Sequence, residues 1–159
     1  NVDTGECISI LTGHTDWVYS VGFNHDGTNI VSGSVDETVR VWNVDTNKCI
    51  LTLDITIVTR KPWFYRDARF VRNYVYSVRF NNDGTKIVSG SSDNTIRVWK
   101  VQTNTMLNKW EMLKKSTPQY KWDSRNIISV RFNHDGTKIV SGSNDGTIGI
   151  WNVDDRGYI

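Results

Sequence analysis

A chain of 159 residues, 38% of them hydrophobic, is long enough for one domain with a core of its own. Its formal charge of +2 gives no strong global field, and no apolar run approaches the roughly 18 residues of a membrane helix. No signal peptide is visible, nor a phosphate loop, a GxSxG elbow, a GxGxxG fingerprint or a His/Cys/carboxylate set at metal-ligand spacing. Neither catalysis nor a metal or cofactor is therefore expected of these residues.

In chain order, Asn1-Val2-Asp3-Thr4 matters because it returns as Asn43-Val44-Asp45-Thr46. The segment Cys7–Leu11, just after the first of these, is then the counterpart of a strand expected at Cys49–Leu53. Residues 18–43, 75–100 and 127–152 are three copies of one unit, identical in fifteen of twenty-six columns. Each copy starts with a strand rich in β-branched and aromatic residues: Val18–Phe23, Val75–Phe80 and Ile127–Phe132. Each then runs into an Asp-Gly turn, a hairpin signal because the glycine accepts positive φ. A second strand comes next at Asn29–Ser34, Lys86–Ser91 or Lys138–Ser143, carrying Ile-Val-Ser-Gly-Ser. A tight turn with Asp36, Asp93 or Asp145 leads to a third strand that ends at Trp42, Trp99 or Trp151. Fourth strands are predicted at Cys49–Leu53 and Met106–Leu113. Nothing repeats with the helical period. The chain is read as all-β, with about twelve strands, and its repeats as units that bury their faces by stacking.

These residues resemble a known family. Gly13-His14, Ser32, Asp36 and Trp42 are similar to one repeat of a WD-repeat β-propeller. The resemblance implies four-stranded antiparallel blades in an incomplete ring, with a hydrogen-bonded chain from His14 through Ser32 and Asp36 to the Trp42 indole. Physically, a buried indole is a donor that needs an acceptor. The competing reading of Ser, His and Asp as a hydrolase triad is disfavoured, because those residues sit where the family places a structural network. The second copy keeps Ser89, Asp93 and Trp99 and the third keeps Ser141, Asp145 and Trp151, but neither has the preceding His. Their networks must be completed otherwise.

The implied division assigns residues 1–11 to the fourth strand of a preceding blade that is absent. Residues 12–55, 56–113 and 114–159 form three blades, the last with an incomplete fourth strand. The missing blades are expected from a longer chain. The alternative is self-association, in which Cys7–Leu11 of one copy completes the last blade of another. Cys7 and Cys49 hold equivalent positions and are expected as free thiols, which suits a reducing compartment, cytoplasm or nucleus.

Two insertions separate the blades, at 54–74 and 108–126. Each carries a net charge of +3, so the rest of the chain sums to −4. Aromatics are interleaved with the charge. Trp63, Arg66 and Arg69 stand in the first insertion, Lys114, Lys115 and Trp122 in the second. Family resemblance adds a second candidate surface on the same face: Trp17, Tyr19 and Val35, then Tyr74, Tyr76 and Ser92, then Asn126, Ile128 and Asn144. Trp17 and Tyr74 are expected to be the exposed ones, while Tyr19 and Tyr76 are read equally as part of the surface or as packing between blades. The function implied is a non-catalytic scaffold that binds protein partners within an assembly. The alternative is a propeller whose basic insertions contact RNA through phosphates and stacked bases.

Overall fold

The computed structural model describes residues 1–56, 73–102 and 126–153, together with the backbone of 105–111. Eleven strands are present among the described residues, and no helix of two turns or more. In chain order they are β1 Val18–Phe23, β2 Asn29–Ser34, β3 Thr38–Asn43, β4 Lys48–Asp54, β5 Val75–Phe80, β6 Lys86–Ser91, β7 Thr95–Lys100, β8 Thr105–Glu111, β9 Ile127–Phe132, β10 Lys138–Ser143 and β11 Ile148–Asn152. They form three antiparallel meanders: β1 to β4, β5 to β8, and β9 to β11.

Local chemistry fixes each meander. In the first turn, Asp26, Asp83 or Asp135 accepts both the N–H and the hydroxyl of the Thr two residues on. Those bonds hold all three carboxyls below the ordinary range. The glycine after each Asp takes φ between 71° and 74°, closed to most side chains. The second turn repeats the device with Asp36, Asp93 and Asp145 on Thr38, Thr95 and Thr147. There the positive φ falls on Glu37, Asn94 and Gly146.

Blades stack through aliphatic faces. Val31, Val39, Val41, Leu53 and Ile55 of the first meander meet Val75, Val78, Ile87 and Trp99 of the second. Val88, Ile96 and Val98 of the second meet Ile127, Val130 and Ile139 of the third. The sheets approach closely only because β2 and β6 carry a glycine at the contact. A Cβ on Gly33 would lie 2.5 Å from Val75 Cγ1, and one on Gly90 would lie 2.6 Å from Ile127 Cγ2.

Cys7–Leu11, expected as the fourth strand of a blade that is absent, lies in no sheet among the described residues; residues 1–10 are exposed, with Ser9 Oγ reaching Asn47 Oδ1 at 2.6 Å. The structure departs from the sequence reading at the edge of the first insertion. Asp54, counted into that insertion, belongs to β4 and pairs with Thr38; Asn108–Glu111, counted into the second insertion but also within the predicted strand Met106–Leu113, lie in β8, where Trp110 pairs with Ile96.

Candidate functional site

Each blade's third-strand Trp is fixed by the serine of its second strand. Trp42 Nε1 donates to Ser32 Oγ at 2.8 Å, Trp99 Nε1 to Ser89 Oγ at 3.1 Å and Trp151 Nε1 to Ser141 Oγ at 2.9 Å. In the first blade the chain continues, with His14 Nε2 2.6 Å from Ser32 Oγ and Nδ1 2.7 Å from Asp36 Oδ2. The donors follow from chemistry. An indole only donates and a carboxylate only accepts, so Ser32 Oγ accepts from the indole and His14 Nδ1–H donates to Asp36. Burial pushes Asp36 up, but hydrogen bonds from Thr38, His14 and the Thr15 N–H, with the charge of His14, outweigh it. The carboxyl is held at about 2.

The Ser-His-Asp spacing reproduces that of a hydrolytic triad. Two facts argue against that use. Ser32 is 3% exposed, and its oxygen is already engaged by the Trp42 indole. A nucleophile needs an open approach, and this one has none.

The second blade solves the same problem with a residue that sequence reasoning missed. Arg97, fully buried, places Nη2 2.5 Å from Asp93 Oδ2 and 3.4 Å from the Ile55 carbonyl. Burial pushes Asp93 up; the bonds and charge of Arg97, with bonds from Thr95, bring it below the ordinary range. The signal was present in the strand alternation. Thr95, Arg97 and Trp99 share one face of β7, and a buried Arg two residues from a buried Trp demands a nearby carboxylate. Arg40, in the same column, stays partly exposed, 4.0 Å from Asp36. In the third blade the column holds Gly149, and a Cβ there would lie 2.7 Å from Trp151 Nε1. That indole occupies the space an arginine stem would need.

Above these networks lies the aromatic surface. Trp17, Tyr19, Tyr76 and Tyr74 form one continuous strip across two blades, with ring centroids 6.4 Å, 5.2 Å and 6.1 Å apart in that order. The edge-on and tilted geometries are those aromatic pairs prefer. Trp17 is 73% exposed and Tyr19 47%, whereas Tyr74 and Tyr76 are half-buried. Tyr19 is thus more open than Tyr74, the reverse of expectation: the Tyr74 ring stands edge-on to Tyr76, and its backbone N–H bonds Ser92 Oγ at 2.8 Å. Burial, then Tyr19 and Tyr74 beside it, pushes the Tyr76 hydroxyl up. Ile128, also exposed, occupies in the third blade the column of Tyr19 and Tyr76, and Asn126 and Asn144 bond to each other there at 2.8 Å. Val35 is buried and leaves the candidate surface. Trp63, Arg66, Arg69, Lys114, Lys115 and Trp122 lie outside the described residues. Their flanking residues do not. Ile55 N–H bonds the Glu37 carbonyl and Val35 N–H the Trp17 carbonyl, so residues 55 and 74 sit at the blade end that carries the strip.

The opposite blade end holds a shallow cleft of about 280 Å³ lined by Phe23, Phe80, Phe132 and the turn residues His25 and His134. Among the described residues no His, Cys, Asp or Glu group could hold a metal ion.

Comparison with known proteins agrees with this architecture. The family model for the WD domain, G-beta repeat, matches residues 5–43, 69–100 and 116–152. This chain belongs to the WD-repeat family. A WD-repeat relative from Schizosaccharomyces pombe, the WD repeat-containing protein pop2, is 36% identical over 96% of the chain. The chain spans 22% of that protein's length. WD-repeat proteins generally serve as non-catalytic scaffolds that bind protein partners.

Proposed function

We propose that this WD-repeat chain is a protein-interaction platform within a multi-subunit assembly, with the strip Trp17–Tyr19–Tyr76–Tyr74 as its contact surface. The observation that carries the reading is the strip's continuity. Aromatics are the side chains that contribute most to interfaces, and here two exposed and two half-buried ones pack in sequence across two blades. The basic stretches on either side of the second blade, anchored at this end, would orient an acidic partner and set its on-rate. Site chemistry supports no catalytic role, since the one Ser-His-Asp arrangement is closed by an indole. The exposed free thiols of Cys7 and Cys49 fit the cytoplasm or nucleus.

The test is affinity recovery of partners by wild type and by Trp17→Ala/Tyr19→Ala. The double variant should lose at least tenfold in recovery with its melting temperature unchanged; full recovery would remove the strip from the interface. The RNA reading rests on the charge of the insertions 54–74 and 108–126. It makes a different prediction, a steep log-linear loss of binding with salt.

A further inference from the structure

The four rings of the strip carry polar atoms that the protein itself leaves unused. The hydroxyls of Tyr19, Tyr74 and Tyr76 and the Trp17 indole N–H form no hydrogen bond with another described residue. An indole N–H only donates, and a phenol O–H is available to donate. Burial, with the neighbouring phenols, pushes the Tyr76 hydroxyl up, so it keeps its proton at neutral pH. The strip therefore offers apolar ring faces and hydrogen-bond donors, and none of its four side chains is a carboxylate or a cation.

The backbone at the two ends of the strip is already engaged. The Trp17 N–H bonds Asp16 Oδ1 at 2.9 Å, and its carbonyl accepts the Val35 N–H at 2.9 Å. The Tyr74 N–H bonds Ser92 Oγ at 2.8 Å, and its carbonyl accepts the Ser92 N–H at 2.9 Å. An added strand needs free backbone groups to ladder with, and here they are taken. What fits is a segment that brings apolar rings and carbonyl acceptors and has few N–H groups of its own to satisfy. A proline-rich segment in the polyproline II conformation has that chemistry: prolines lack an N–H, their carbonyls make no internal bonds, and their rings are apolar.

The dimensions agree. The outer pairs, Trp17–Tyr19 and Tyr74–Tyr76, stand at 78° and 81°, so each makes a corner between one ring's face and the other's edge. Polyproline II rises about 3.1 Å per residue, so about six residues cover the centroid steps of 6.4, 5.2 and 6.1 Å. The strip stops after the second blade, because Asn126 and Ile128 hold the ring columns in the third.

We infer that the strip holds a proline-rich segment of a protein partner, its proline rings in the two corners and its carbonyls bonded by the phenol hydroxyls and the indole N–H. This rests on the strip being the contact surface and names what that surface recognises.

The experiment is fluorescence polarisation of labelled decaproline with the chain, beside a Gly-Ser repeat of equal length and decaglutamate. Decaproline should bind saturably and at least about tenfold more tightly than either control, being rigid before it binds. Its Kd should change less than about twofold with salt, since no charge pair forms. Trp17→Ala/Tyr19→Ala should weaken it at least about tenfold. Tyr76→Phe keeps the ring and removes the donor; it should weaken binding about three- to tenfold with circular dichroism unchanged. No saturable decaproline binding, a control that binds equally well, or unchanged binding in either variant would overturn the assignment. If Trp17→Ala/Tyr19→Ala loses its partners while wild type ignores decaproline, the assignment falls and the interaction platform stands.

Discussion

Blade one and blade two fix the same indole against the same serine hydroxyl but satisfy the carboxylate behind it by different means. In the first, an imidazole links the Asp36 carboxylate to Ser32, with Thr38 and the Thr15 N–H also bonding it. In the second, Asp93 is held by a guanidinium with no exposed surface. The tryptophan and serine are thus the constant requirement, and the aspartate takes whichever cation or donor the local backbone can deliver. The costs of disturbing the two arrangements differ accordingly, since losing Asp93 leaves a guanidinium unpaired in a dry interior, whereas losing His14 leaves the Asp36 carboxylate still bonded by Thr38 and the Thr15 N–H.

Breaking the ion pair should do the most damage. Asp93→Ala should strand the buried Arg97 and cost about 3–5 kcal/mol of stability, measured by urea denaturation. His14→Ala breaks the imidazole link instead and should cost about 1–3 kcal/mol, with partner binding unchanged. Equal costs for the two would erase the distinction drawn between the blades.

A third prediction sharpens it through pH. The Asp36 carboxyl titrates at about 2 in the folded chain against an ordinary 3.8. A carboxyl depressed on folding stabilises the native state fully above its unfolded value, and that contribution is lost as pH falls through the folded value. The stability gap between wild type and Asp36→Asn should be constant above about pH 4 and close toward pH 2. A gap that widens on acidification would contradict the geometry.

The smallest effect sits at the second turn, where Glu37 has φ 67°, Asn94 68° and Gly146 84°. Glutamate is the least suited of the three to the left-handed region. Glu37→Gly should raise stability by up to about 1 kcal/mol, the relieved strain being partly offset by glycine's flexibility. Asn94→Gly should gain less. Thermal unfolding of the two single variants measures the difference.

Much of this fold was legible in the sequence because the unit occurs three times and its punctuation is chemical. Asp-Gly-Thr and Asp-x-Thr turns set the hairpins, and the third-strand Trp marks where each ladder ends. The partners of Trp42 could be named from residue types alone. Contact between units escaped. Nothing local says that Tyr19 and Tyr76, 57 residues apart, meet ring to ring, or that Val35 turns inward while its neighbours in the motif stay at the surface. Arg97 was missed because an arginine in a strand is ordinarily solvated, and its burial is decided by the adjoining blade, whose Ile55 carbonyl accepts from it. The edge of the first insertion was misplaced for a related reason, since Asp54 carries no strand preference and is held in β4 by its ladder to Thr38.

Partners are proposed to bind the blade end bearing the aromatic strip rather than the opposite end with its phenylalanine cleft. Site-specific photocrosslinking in cells separates the two ends, with a benzophenone amino acid placed at Tyr19 in one protein and at His25 in another. Partner adducts are expected from position 19 and none from position 25. Adducts from position 25 with none from position 19 would move the interface to the other end of the blades and contradict the proposal.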